Sequence, residues 1–317
     1  MPVTFNFKDM LSARSVMGDT LDELGSQYDN VWALTPDIGQ SLNEFKAHHP
    51  DRFVDVGIAE QNCITLAAGL AYEGARPFVV GMGMFLTMRA FEQCRTDVGY
   101  PNLPVTIIAT HAGMVSEGGA THYMIEDVAL MTSIVNMTVV AISDPAMIGE
   151  VLRQAIDLRG PLYVRVSQGK ADQVLYEPGS QSYPFGGSIE ARSGDDATIL
   201  TYGVLVGQAL EAAEILAAGG VSVRVIDMYS LKPVDQSAIL RAATETKKIL
   251  VLEDHLKHGG LASIAADTLV DHGVSVDGFR RLGVPQVYAG FGKPDELREK
   301  HGFGLDATVA AVRNLVG

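Results

Sequence analysis

Glu60 stands in the segment DVGIAEQN (55–62), directly after the β-branched run RFVDV and at the start of an apolar helical stretch. A carboxyl group there could share a proton with a bound base, most effectively in a dry site, where burial raises a carboxyl pKa. The plainer reading is a negative charge at a helix N-terminus, which the helix dipole favours. His111 and His122 bracket a glycine-rich loop, HAGMVSEGGATH, that follows another β-branched run. Imidazoles titrate near neutrality, so they suit proton transfer. A lone histidine is more often structural, but two on one loop after a strand favour function. Asp37 and Ser41, in TPDIGQS, follow the first strand; taken alone, such an aspartate is commonly a helix cap. Phe85 follows a further strand, a place where an aromatic is ordinarily core.

These side chains need a frame. The chain of 317 residues is long enough for two domains, each with its own core. Hydrophobic residues make up 47% and charged residues 20%, as in an ordinary globular protein. Net charge is −14 with no Lys/Arg run, which argues against nucleic-acid binding. No apolar run reaches the roughly 18 residues that span a membrane. The opening MPVTFNFKDM lacks a basic region followed by an apolar stretch, so no signal peptide is expected. Cys63 and Cys94 lack metal-ligand spacing and sit in apolar helical patterns. Buried free thiols and a reducing cytoplasm are expected.

Short β-branched runs alternate with helix-length stretches. The runs 31–35, 52–56, 77–81, 105–109, 137–141 and 162–166 read as strands, with helices over 61–74, 85–98 and 145–158 among them. Repeated β-α order predicts an α/β fold, with a parallel sheet covered by helices on both faces. The stretch 168–196, rich in Gly, Pro, Ser and Gln, breaks the rhythm and reads as an interdomain crossing. A second α/β unit follows, with strands at 197–203, 221–227 and 247–254 and glycine-stopped helices between and after them.

In order along nearly the whole chain, several segments resemble the transketolase family. They are DVGIAEQN followed by AAGLAYEGARPFVV, FLTMRAFEQCRTDV, PNLPVTIIATHAG leading into GGATHYMIEDVALM, and VNMTVVAISDP. TYGVLVGQALEAA, VRVIDMYSLKPVD and VLEDHLKHGGLAS are similar to that family's C-terminal domain. The resemblance implies a pyrimidine-binding domain over 1–170, a linker over 171–195 and a transketolase C-terminal domain over 196–317. It also implies thiamine diphosphate as cofactor. Glu60 would hydrogen-bond the aminopyrimidine ring and favour the imino tautomer that removes the thiazolium proton. Phe85 would stack on that ring. Met82 stands where many relatives carry another aromatic, and its thioether could pack on a ring edge. Asp37 and Ser41 would face the thiazolium ring and substrate. His111 and His122 would contact the sugar's oxygens; the related deoxyxylulose-phosphate synthases carry arginine where His111 stands.

Two departures bear on substrate. Gly118 occupies the place of an aspartate that contacts a donor hydroxyl, and Gln168 that of an arginine that grips the sugar phosphate. Glutamine cannot copy arginine's charged fork. Lys170, or an arginine of a partner chain, could restore the charge. The family's diphosphate domain, with its Gly-Asp-Gly element and its Mg²⁺ or Ca²⁺ site, has no counterpart in this sequence. A split enzyme is therefore expected, with an N-terminal partner subunit holding diphosphate and metal, assembled as a dimer of heterodimers. Two rival readings stay open: a 2-oxo-acid dehydrogenase β-type subunit, and a non-catalytic assembly subunit.

Overall fold

The structure, a computed structural model, describes residues 10–115, 118–168, 172–177 and 179–317. Lys170 lies outside the described residues.

Strand β1 (Met10–Leu11) leads into helix α1 (Ala13–Gln27), whose first turn is capped by the Ser12 hydroxyl accepting from Ser15 N at 3.1 Å. There follow β2 (Val31–Thr35), α2 (Asn43–His48), β3 (Phe53–Asp55), α3 (Glu60–Tyr72), β4 (Arg76–Met82), α4 (Phe91–Gln93) and β5 (Thr106–Thr110). Next come α5 (Asp127–Ser133), β6 (Thr138–Ala141), α6 (Pro145–Ala155), β7 (Leu162–Arg165), β8 (Asp172–Gln173) and β9 (Ile189–Arg192). The chain continues with β10 (Ala197–Thr201), α7 (Leu205–Ala218), β11 (Val223–Asp227), β12 (Ser230–Lys232), α8 (Gln236–Glu245) and β13 (Lys248–Leu256). It closes with α9 (Leu261–Asp271), β14 (Gly278–Val284), α10 (Pro294–Lys300) and α11 (Leu305–Val316).

The first sheet has seven strands in the order β12-β6-β7-β5-β4-β2-β3, and the second has five in the order β14-β13-β10-β11-β9. Both are parallel apart from an antiparallel edge strand, β12 in the first and β9 in the second. The sequence pattern thus foretold the class correctly. Alternation along the strands explains the two-sided burial. Phe78 and Val80 of β4 join one apolar cluster with Met17 of α1 and Val151 of α6. Val79, between them, joins the opposite cluster with Ile64 of α3 and Val128 of α5. Successive side chains point to opposite faces, so a strand apolar at every position must be covered twice.

The stretch expected as one helix over 85–98 differs. Residues Phe85–Arg89 and Cys94–Gly99 form π-helical turns on either side of the short α4. Ala90 N reaches Phe85 O at 3.2 Å, and Tyr100 N reaches Arg95 O at 2.8 Å. Such wide turns are uncommon and recur at functional sites. The two cysteines are buried and free, as expected. Burial pushes both thiols up to about 12, so they are packing residues rather than nucleophiles. Among the described residues no helix is long and apolar enough to cross a membrane.

Candidate active site

A parallel sheet offers its ligands the carboxyl ends of its strands, where loops cross from strand to helix. Nearly every residue singled out above sits on that one edge. Asp37 follows β2, Glu60 follows β3, Met82 ends β4 with Phe85 just beyond, His111 follows β5 and Gln168 follows β7.

The turn between β3 and α3 is shaped by Asp55 and Gly57. Asp55 Oδ1 accepts from Gly57 N at 2.9 Å and from Asp37 N at 3.3 Å, which ties this turn to the loop after β2. Gly57 has φ +67°, a conformation glycine adopts freely, and Asp37 has φ 69°. The turn delivers Glu60 to the first position of α3, 2% exposed. Its carboxylate Oε2 accepts from Arg89 Nη1 at 2.6 Å. Arg89 comes from the π-turn that begins at Phe85, and its guanidinium carbon lies 4.5 Å from the centre of the Phe85 ring. Phe85 in turn meets His122 edge-on, with centroids 6.4 Å apart and planes at 81°. Glu60, Phe85 and His122 are thus brought into one chain of contacts through Arg89.

His111 has φ 63°, and its amide donates to Ser167 O at 2.9 Å. Its ring Nδ1 lies 3.0 Å from Thr110 Oγ1, and both ring nitrogens lie 3.4 Å from Arg14 Nη2. His122 is exposed, with Nδ1 2.7 Å from Thr121 Oγ1. Arg14, from α1, lines a cavity of about 400 Å³ with Asp37, Ser41 and Thr110. Among the described residues its Nε is buried without a hydrogen-bond partner. Burial pushes this guanidinium below its ordinary pKa, and the nearby Asp172 carboxylate opposes that shift. Gln168 lines a different cavity, of about 640 Å³, at the junction with the second sheet's helices. Gly118 is an exposed member of the histidine loop.

Three residues escaped the sequence reading. Arg14 is 97 positions from His111, and nothing local marks it. Arg89 is four residues beyond Phe85, a spacing that puts two helical side chains on one face and could have suggested the pair. Asp55 was part of the quoted motif but carried no assigned role. Among the described residues, no group of three or more His, Cys, Asp or Glu could hold a metal ion.

The profile described as "Transketolase, pyrimidine binding domain" matches residues 9–173, and "Transketolase, C-terminal domain" matches residues 187–307. A Methanocaldococcus jannaschii protein carrying the name transketolase C-terminal section is 37% identical over 304 residues, 95% of this chain and 94% of its own length. A 1-deoxy-D-xylulose-5-phosphate synthase from Syntrophotalea carbinolica is 35% identical over 96% of this chain, which spans only 48% of that relative. A solved structure described as "Split gene transketolase, inactive beta4 tetramer" superposes with a TM-score of 0.86 at 35% identity, covering 96% of this chain and 98% of that one.

Proposed function

This chain belongs to the transketolase family, and from that premise we propose that it is the C-terminal subunit of a two-chain transketolase, moving a two-carbon ketol unit from a ketose to an aldose. The observation that carries the reading is the cradle of Glu60, Phe85 and Arg89. A flat, cationic N–H donor already lies on the Phe85 ring and donates to the buried Glu60 carboxylate. An aminopyrimidine is also flat and rich in N–H donors, and it would use the same two groups. Arg89 is 44% exposed along its side chain, so it can withdraw toward solvent. The residues present therefore fit the pyrimidine end of thiamine diphosphate, which supplies, when bound, the acidic carbon that takes up the ketol unit.

The chain's own residues divide the remaining work. Glu60, buried at the start of α3, shares a proton at its carboxylate with the bound ring. Phe85 orients a ring by stacking, and Met82 lies three residues before it at the end of β4. His111 and His122 give and take protons at the sugar's oxygens. Asp37 and Ser41 face the same cavity as Arg14. Arg14 adds a guanidinium beside His111 at this cavity, on a different element from Gln168. Among the described residues it is the group placed to meet an anionic end of a sugar, phosphate or sulfonate alike.

The diphosphate and its Mg²⁺ or Ca²⁺ belong, in this reading, to an N-terminal partner subunit, the pair assembling as a dimer of heterodimers. Support comes from two names. The relative of matching length is called a C-terminal section, and the structural neighbour is called a split-gene enzyme whose beta4 tetramer is inactive. A cytoplasmic setting accords with the two buried free thiols.

One rival has a specific observation behind it, the 35% identity to a deoxyxylulose-phosphate synthase. His111, in the place where that branch resembles this chain but carries arginine, favours ketol transfer. Product analysis of the reconstituted pair decides between them. Phosphorylated and free ketoses are offered with an aldose acceptor, and pyruvate is offered with the same acceptor. Ketol transfer without release of carbon dioxide is expected; pyruvate consumption with carbon dioxide release would assign the chain to the synthase branch.

A further inference from the structure

We infer that Asp254, on the second sheet, is a positioning residue for the loop that carries His111 and His122; the inference rests on the reading of that loop as the sugar-facing one. The loop is pinched at its neck. Gly113 N donates to Met124 O at 2.6 Å, and Met124 N donates to His111 O at 3.1 Å. Just past the neck, Met114 N donates to Asp254 Oδ1 at 2.8 Å, a contact across 140 residues of sequence. Asp254 is 1% exposed and is itself held from two sides. Arg298 Nη1 reaches its Oδ2 at 3.2 Å, and Arg165 Nη2 donates to its main-chain carbonyl at 2.7 Å.

The approach is too close for a side chain. Gly113 has φ +83°, and a Cβ built there would lie 2.6 Å from Asp254 Oδ2. The other end of the loop has its own tether, Tyr123 Oη donating to Ala289 O at 3.0 Å. Both arms of the histidine loop therefore hang from the second domain, which otherwise contributes none of the site residues named above. A buried hydrogen bond to a charged group is among the stronger kinds. Reacting groups displaced by an ångström lose about a hundredfold in rate, so what sets the loop sets the histidines.

The test is hydrogen exchange on the isolated full chain, with imidazole resonances of His111 and His122 as a second readout. Asp254→Ala is expected to speed exchange of residues 112–115 by about tenfold or more and to shift both imidazole signals. Asp254→Asn keeps an acceptor oxygen for Met114 N and is expected to restore near-normal protection. Asp235→Ala, which removes the N-cap bond to Ala238 N (3.0 Å), is the control for general loss of stability. Should Asp254→Ala fail to fold, Asp254→Leu, which fills the buried volume but removes the acceptor for Met114 N, carries the test and is expected to speed exchange of residues 112–115. Unchanged exchange in the variant tested, or equal loosening by Asp235→Ala, overturns the inference. In the reconstituted pair, Asp254→Ala is expected to raise KM for the donor sugar and lower kcat, with Asp254→Asn rescuing both. The exchange measurement needs no turnover, so it stands or falls separately from the proposed reaction.

Discussion

In the proposed reading Glu60 and Arg14 are the two side chains on which the chemistry turns, and their signals in the sequence are unequal. Glu60 announces itself through its motif, because the strand, the turn glycine and the apolar helix around it are all local. Phe85 and the two histidines were legible for the same reason. Arg14 became visible only when the fold carried α1 against the loop after β5, a contact no local pattern encodes. Glu60→Gln keeps shape and hydrogen bonding to Arg89 but removes the acid. Turnover of the reconstituted enzyme should fall by about 10²–10⁴-fold while the melting temperature stays put; normal turnover would reduce Glu60 to a helix-end charge. Arg14→Met keeps the stem and removes the fork. It should raise KM for phosphorylated donors by roughly 10- to 150-fold, the equivalent of about 1.5–3 kcal/mol for one charged hydrogen bond. KM for free ketoses should move little. An equal rise for both kinds of donor would show that Arg14 only supports His111.

At the scale of elements, the turn between β3 and α3 decides where Glu60 points. Gly57 has φ +67°, with nothing within 4 Å of where a Cβ would stand. Substitution there is penalised by backbone conformation alone, and Gly57→Ala should destabilise the chain by about 1–2 kcal/mol. Gly69, inside α3 and equally open, has no such requirement. Gly69→Ala should stabilise by about 0.5–1 kcal/mol through helix propensity. Denaturant unfolding of the two variants reads both signs, and destabilisation of similar size in both would contradict the account. The buried parallel strands were legible because they are apolar at consecutive positions. The π-turns around α4 were not, since their composition is that of an ordinary helix. The edge strands β12 and β14 escaped notice as well. β12 is three residues long, and β14 carries Arg280 and Arg281 in its middle, so neither shows a clean apolar pattern.

For the whole molecule, the junction between the sheets matters most, and the sequence concealed it because its partners lie far apart in the chain. Asp227, fully buried, accepts from Ser143 Oγ at 2.8 Å and from Tyr176 Oη at 3.0 Å. Burial pushes its carboxyl up to about 7, against an unfolded value of about 3.9. The folded state therefore favours the protonated form. This group's penalty is absent below pH 4, grows as pH rises toward 7 and is complete above it, where it amounts to a few kcal/mol. Asp227→Asn should flatten that slope and raise stability at pH 8 relative to pH 4; an unchanged pH profile of unfolding would contradict it. Beyond the single chain, the proposed function divides the cofactor, with the pyrimidine cradle on this protein and the diphosphate and metal site on a partner. Calorimetric titration of thiamine diphosphate with Mg²⁺, first into the isolated chain and then into the chain mixed with its partner, is the decisive measurement. Binding no tighter than about millimolar is expected of the chain alone and micromolar binding of the pair, a gap of roughly 4 kcal/mol. Micromolar binding by the isolated chain would contradict that division.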